Sequence, residues 1–275
     1  MTLSPRDVAD LLDRAGHRPR RSLGQNFVVD PNTVRRIARL AAVGPGDRVV
    51  EIGAGLGSLT LALLETGAEV TAVEIDARLV PALRAVVEEG GARVVEADAL
   101  HLDWAGLLGA GPWVLVANLP YNLASPLVAD LLDGVPAIAR MLVMVQREVG
   151  ERLAAPVGDP AHGALSVKVE YWAQAAVVGR VPPTVFLPRP RVESVLVAID
   201  RRPEPAVPAE VVGPGPLFAL VRAGFGQRRK MLRRSLAGLV DAEAFAAAGV
   251  APDARAEELD VEAWGRLAAA ATVPR

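Results

Sequence analysis

The sequence predicts an α/β protein: a mostly parallel sheet wrapped by helices, followed by a small C-terminal all-helical domain. Three observations predict it. Short β-branched runs alternate with helical patterns from Arg48 to Val145, the rhythm of parallel βαβ units covered on both faces. A glycine-rich loop joins the first such run to the next helical pattern, as in nucleotide-binding α/β sheets. A Pro-rich stretch over 201–216 then separates this region from four helical patterns with no strand among them,. The length, 275 residues, suits one large and one small domain,. The expected division is a Rossmann-like domain over 1–200 with a basic N-terminal extension over 1–43, a stiff linker over 201–216, and a helical domain over 217–275.

The elements follow in order. A short helix opens the chain, with Ser4 as its cap and Pro5 in its first turn, and a basic loop leads on to Arg21,. Over Pro31–Val43, the residues Val34, Ile37, Ala38 and Ala41 recur at helical spacing,. Strands are predicted at Arg48–Ile52, Glu69–Val73, Ala92–Glu96, Trp113–Ala117 and Met141–Val145, with helices at Ser58–Glu65, Ala77–Glu88 and Pro126–Leu132,. Val177–Val181 and Val192–Ile199 read as an antiparallel hairpin closing the sheet. Helices Leu217–Gly224, Arg228–Val240, Ala242–Ala248 and Val261–Ala271 complete the chain.

Composition excludes several classes. With 23% charged and 51% hydrophobic residues the chain is not wholly disordered,. No run approaches the roughly 18 apolar residues of a membrane span, and residues 1–22 lack the apolar heart of a signal peptide,. Zero Cys excludes disulfides and thiolate chemistry, and three scattered His make a metal site unexpected,. A cytoplasmic monomer is the expected form. The net charge is -2, yet Arg14–Arg39 and Arg222–Leu236 each carry a local balance of +6. Two basic blocks on a mildly acidic chain point to a positive face for nucleic acid.

Glu51-Ile52-Gly53-Ala54-Gly55-Leu56-Gly57 turns the chain from strand to helix. Glycine permits positive φ and lets backbone approach a ligand closely. Glu74 ends the next strand, where an acid accepts from ribose hydroxyls. Together they imply a nucleoside-type cofactor. Position 58 is Ser rather than the third Gly of a dinucleotide fingerprint, no Arg or Lys occurs between Glu51 and Ala77, and Glu51 stands at the loop. These favour a cationic cofactor without phosphate, which points to S-adenosylmethionine. Asp98, after the third strand, is placed to accept from an adenine amine.

Asn118-Leu119-Pro120-Tyr121 ends the fourth strand, at the sheet edge where open α/β proteins bind ligands. The lone pair of an adenine N6 is delocalised into the ring. Two acceptors, the Asn118 side chain and the Leu119 carbonyl, can draw that nitrogen toward a tetrahedral shape, with Pro120 stiffening the turn. Tyr121 offers a face for base stacking. In-line alignment would then supply most of the catalysis. Phe186 lies in a proline-stiffened loop and offers a second face,.

These residues resemble the ribosomal RNA adenine-N6,N6 dimethyltransferases, and within them the bacterial small-subunit (16S) type linked to kasugamycin sensitivity. The resemblance includes Ser22-Leu23-Gly24-Gln25-Asn26-Phe27, Glu51–Gly57, Glu74-Ile75-Asp76, Asp98-Ala99, Asn118–Tyr121 and Val145-Gln146-Arg147-Glu148. It continues through Val181-Pro182-Pro183, Phe186-Leu187-Pro188-Arg189-Pro190, Val192-Glu193-Ser194, Phe225, Arg228-Arg229-Lys230, Leu232-Arg233 and Arg255-Ala256-Glu257. It implies a class I S-adenosylmethionine-dependent methyltransferase fold with a mostly parallel seven-stranded sheet. It implies cofactor contacts from Gln25, Asn26, Glu51, Gly53, Gly55, Gly57, Glu74, Ile75, Asp98, Ala99 and Asn118. Asn118, Leu119, Pro120, Tyr121 and Phe186 would handle the target base. The implied product is two adjacent N6,N6-dimethyladenosines near the 3′ end of 16S rRNA, formed in an immature small ribosomal subunit.

Arg20, Arg21, Arg147, Arg222, Arg228, Arg229, Lys230, Arg233 and Arg234 are the expected RNA contacts. Val28 departs from the Leu common at that position, and the Ala-rich tail after Ala268 matches nothing firm. Three other readings stay open: a large-subunit rRNA adenine methyltransferase of the resistance type, a nicotinamide-dependent dehydrogenase, and a non-catalytic assembly factor.

Overall fold

The computed structural model describes residues 2–20 and 23–272, in two compact units. One comprises Met1–Gly150 with Ala176–Asp200, and the other Glu151–Ala175 with Arg201–Arg275. The helices are α1 (Pro5–Arg14), α2 (Pro31–Ala41), α3 (Ser58–Leu64), α4 (Val80–Val87), α5 (Trp104–Leu108), α6 (Ala124–Gly134), α7 (Arg147–Leu153), α8 (Ala164–Trp172), α9 (Pro214–Gly226), α10 (Leu232–Ser235), α11 (Ala242–Ala248) and α12 (Val261–Thr272). The strands are β1 (Phe27–Val28), β2 (Arg48–Ile52), β3 (Glu69–Glu74), β4 (Arg93–Glu96), β5 (Trp113–Asn118), β6 (Ile138–Gln146), β7 (Ala173–Val181), β8 (Phe186–Leu187) and β9 (Ser194–Arg201).

The main sheet has seven strands in the order β4-β3-β2-β5-β6-β9-β7. The five strands from β4 to β6 are parallel, and β9 runs antiparallel to β6. Chain order reverses between β2 and β5, the topological switch point at which such sheets bind ligands. The two predicted C-terminal strands are neighbours at one edge. The loop between them does more than turn: its two-residue β8 pairs antiparallel with β1, Val28 opposite Phe186. That tie draws the basic N-terminal segment onto the sheet domain.

Local chemistry sets the helix starts. Ser4 and Asp7 form a capping box ahead of α1, and Asp30 caps α2 through the Thr33 amide, with Pro in the first turn of both,. α1 then buries Val8 and Leu12 against Phe27, Leu56 and Leu79.

The helical unit is built around Trp264, which is fully buried, with Tyr171, Phe218 and Phe245. The Pro-rich segment is part of this unit rather than a spacer. Val207 and Val212 are buried in its core, and the Ala206 amide donates to the Tyr171 carbonyl. The helix expected over Arg228–Val240 reduces to the single turn α10 flanked by tight turns. Met231 instead bridges to Arg255 in an antiparallel contact. Gly224 lies inside α9, where Gly costs roughly 1 kcal/mol relative to Ala. Yet a Cβ there would stand 2.5 Å from Trp264. Overpacking costs about 1–3 kcal/mol and the better helix propensity offsets about 1 of that, so Gly224→Ala is expected to lower stability, by up to about 2 kcal/mol. Denaturant titration of the full chain checks this, and an equal or higher midpoint would refute the packing argument.

Candidate active site

The site lies at the carboxyl ends of β2, β3 and β5. A cleft opens there beside the glycine loop. Four stretches form its walls: Leu23–Val28, Glu51 with Gly53–Leu56, Ser58 and Leu59, Glu74 with Ile75 and Leu79, and Asn118 with Pro120. Among these lining residues there is no Arg or Lys, and the charged groups are two carboxyls.

The glycine loop is shaped by three positive-φ residues that do different work. The Gly53 amide donates back to the Val73 carbonyl. The Gly55 amide donates to Glu74 Oε2 at 2.7 Å, and a Cβ on Gly55 would lie 2.9 Å from the Phe27 ring. Gly57 was expected to touch the cofactor, but it does not line the cleft. A Cβ there would stand 2.5 Å from Val87 on α4, so its job is close packing of α3 on α4.

Glu51 is buried in the cleft wall and accepts from the Thr60 hydroxyl at 2.6 Å. Burial pushes its carboxyl up to about 8, the Thr60 hydrogen bond opposes this, and the charge of Glu74 adds to it,. Glu74 is also buried, accepting from the Gly55 and Asp76 amides. Burial raises its pKa too, against the pull of those amides. Ile75, almost half exposed, presents an apolar lip to the cleft. Asp98 and Ala99 follow β4 at the same sheet edge but do not line the cleft. Asp98 accepts instead from the Leu100 amide at 2.9 Å and lies 2.8 Å from His101 Nδ1, contacts that lower its pKa.

The segment 23–28 closes the site from above. Gly24, at φ 62, packs on Pro120, which a Cβ would approach to 2.8 Å. Gln25 lines the cleft, yet its side chain is spent on the protein: Oε1 accepts from the Arg20 amide and faces His17 Nε2, while Nε2 donates to Asp76. Asn118 Nδ2 donates to the Asn26 carbonyl at 2.9 Å. That bond leaves Asn118 Oδ1, an acceptor, as the free end of the amide. The Leu119 side chain is buried and its amide donates to the Met144 carbonyl. Tyr121 is half-buried, its hydroxyl 3.0 Å from Ser194 Oγ. Burial raises the phenol's pKa, against that hydrogen bond.

Two further expectations need correction. Phe186, expected to offer a second stacking face, is 4% exposed and a core residue of β8. Arg228 was read as a phosphate contact, but Nε donates to Glu257 at 2.6 Å and Nη2 to the Pro160 carbonyl. Its guanidinium therefore braces the helical unit. Arg222, Arg229, Lys230, Arg233 and Arg234 are exposed, as is Arg147, whose amide donates to the Glu193 carbonyl. Arg20 is half-buried, and Arg21 lies outside the described residues. Thr60, His17 and Asp76 had no assigned role. Only the position of Thr60, one turn into the helix after the loop and facing Glu51, could have been suspected from spacing.

The family described as ribosomal RNA adenine dimethylase matches residues 16–272. The ribosomal RNA small subunit methyltransferase A of Kineococcus radiotolerans is 52% identical over 277 residues, covering 97% of this chain and 91% of the relative. That of Streptomyces coelicolor is 48% identical over 281 residues, covering 97% and 96%. Among solved structures, a dimethyladenosine transferase from Plasmodium falciparum superposes with a TM-score of 0.74 at 24% identity, covering 88% of this chain and 95% of the other. The 23S rRNA methyltransferase ErmE gives 0.70 at 27% identity, covering 88% and 98%. With the family's pattern running from residue 16 to 272 and relatives this similar over nearly the whole chain, the chain belongs to the ribosomal RNA adenine dimethylase family.

Proposed function

We propose that this chain transfers methyl groups from S-adenosylmethionine to N6 of two adjacent adenosines near the 3′ end of 16S rRNA, during maturation of the small ribosomal subunit. The observation that carries the reading is the Asn118 amide, fixed by the Asn26 carbonyl beside a cleft walled by two buried carboxyls. The small-subunit names of the relatives support the 16S target. The likeness to ErmE supports a second reading, a large-subunit target. Mapping of added methyls on 16S and 23S RNA separates the two. A phosphate-bearing nicotinamide cofactor fits poorly, because no lining residue is cationic.

The donor set fits S-adenosylmethionine, which supplies a methyl group on a sulfonium and carries net positive charge. Glu51 and Glu74 counter that charge, Glu74 also accepts from hydroxyls, and Ile75 gives an apolar face. Asn118 Oδ1 and the Leu119 carbonyl accept from the target amine and draw its lone pair out of conjugation. Tyr121 stacks on the base. The exposed Arg and Lys residues of the helical unit hold phosphates, and the immature subunit is the substrate form we assign.

Three outcomes follow. Asn118→Ala is expected to lower methyl transfer by at least a hundredfold, as losses of such a group do, with cofactor affinity within about threefold. Mass spectrometry of the RNA and calorimetry of cofactor binding check both, and undiminished methylation would remove the assigned role.

Glu51 is largely protonated in the free protein below pH 8. A cationic ligand favours its carboxylate, so binding releases a proton. Affinity should rise toward pH 8, by at most about tenfold per pH unit for one proton. Calorimetry near pH 7 in buffers of different ionisation enthalpy should show that release, and Glu51→Gln should remove it. Buffer-independent heats from the unmodified chain would count against the linkage.

Replacing Arg229 and Arg233 together by Ala should weaken RNA binding and reduce the salt slope by about 2. An unchanged slope would sink their phosphate role.

A further inference from the structure

We propose that Ser194 is a positioning residue for methyl transfer, its hydroxyl holding the Tyr121 ring in the orientation that stacks on the target base. The inference rests on the methyltransferase reading above and adds a residue to it.

Ser194 is the first residue of β9 and is fully buried. It pairs in register with Gln146 at the end of β6, and the next contact, from the Arg147 amide to the Glu193 carbonyl, continues that ladder. The hydroxyl is therefore mounted on the rigid sheet. A buried hydroxyl needs a partner, and here the partner is the phenol of Tyr121, 73 positions away in sequence and 3.0 Å distant.

Tyr121 has need of such an anchor. It leaves the end of β5 on an irregular turn, and its backbone is held nearby by Pro120 and by the bond from Leu119 to Met144. A ring fixed at its backbone alone can still rotate about two side-chain torsions. Fixing its tip as well removes that freedom, so the stacking surface is in place before the base arrives. Phe186 is buried in the core, whereas Tyr121 is half-buried and follows Asn118, the last residue of β5, by three positions. The nitrogen must line up with the methyl and the sulfur, so a tilt of the platform becomes a misaligned attack.

The test is single-turnover methylation of 16S-derived RNA by the full chain as wild type, Ser194→Ala, Ser194→Thr, Tyr121→Phe and the Ser194→Ala/Tyr121→Phe double variant. Ser194→Ala is expected to slow transfer about three- to tenfold, the scale of one neutral hydrogen bond, with cofactor and RNA affinities within twofold. Ser194→Thr should restore the rate. The double variant should be no slower than the slower single variant, because both remove the same bond. An unchanged rate for Ser194→Ala, multiplicative losses in the double variant, or a loss shared equally by cofactor affinity and melting temperature would overturn the proposal. A wild-type chain that methylates no adenosine would instead overturn the methyltransferase reading itself.

Discussion

The bond from Asn118 Nδ2 to the Asn26 carbonyl decides what the site can do. A carboxamide has one donor end and one acceptor end. With the donor end committed to backbone, the acceptor end is left for a substrate. Reversed, the same side chain would present N–H groups to an amine that also carries N–H groups, and the two would repel. In the proposed mechanism, everything that places Asn26 serves the chemistry. Gly24 must lie flat on Pro120, Gln25 must bridge Arg20 and Asp76, and β1 must pair with β8. A two-residue strand and a glycine contact set the direction of one amide.

The second constraint is electrostatic. Burying two carboxyls in one wall without a cation is unfavourable, and holding Glu51 largely protonated relieves it,. Thr60 serves either state, since its hydroxyl can donate to the carboxylate or sit beside the acid,. Glu74 is treated differently: two backbone amides donate to it, one from the glycine loop and one from Asp76. It is thereby locked in place, while Glu51 keeps one donor and an adjustable proton. The loop is more than a passive turn, because the Gly55 amide that orients Glu74 also requires a residue without Cβ beneath Phe27.

The sheet and the loop were legible because they depend on local pattern. β2 and α11 fall within the predicted bounds, and each of the five parallel strands lies where its apolar run predicted it. What the sequence hid depends on partners far along the chain. Phe186 stands among prolines in the sequence, and nothing local shows that it is buried and pairs with Val28 across more than 150 residues. Gly53, Gly55 and Gly57 look alike in the motif, and only the position of Val87 shows that the last is a packing residue. Arg228 stands in a run of like charges, and nothing local marks it as the one facing Glu257. The motif Arg255-Ala256-Glu257 was visible, and the ion pair supplies a reason for its acid.

That ion pair also changes how the basic segment works. Arg35 and Arg36 are likewise committed, to Glu65 and to the Arg180 carbonyl, so the display of positive charge is narrower than composition suggested. Arg228 is anchored at both ends, by Glu257 and Pro160. Met231 and Leu232 are tied by backbone to Arg255 and Ala254. The exposed Arg229, Lys230, Arg233 and Arg234 are therefore carried on a braced turn rather than on a mobile arm. A flexible basic arm tracks any polyanion, because its charges rearrange to suit. Charges held at fixed spacing favour phosphates that share the spacing, and a folded RNA offers such an array where an extended strand does not. One arginine is spent on bracing the turn, and the cations beside it, Arg229, Lys230, Arg233 and Arg234, are held at fixed spacing as a result.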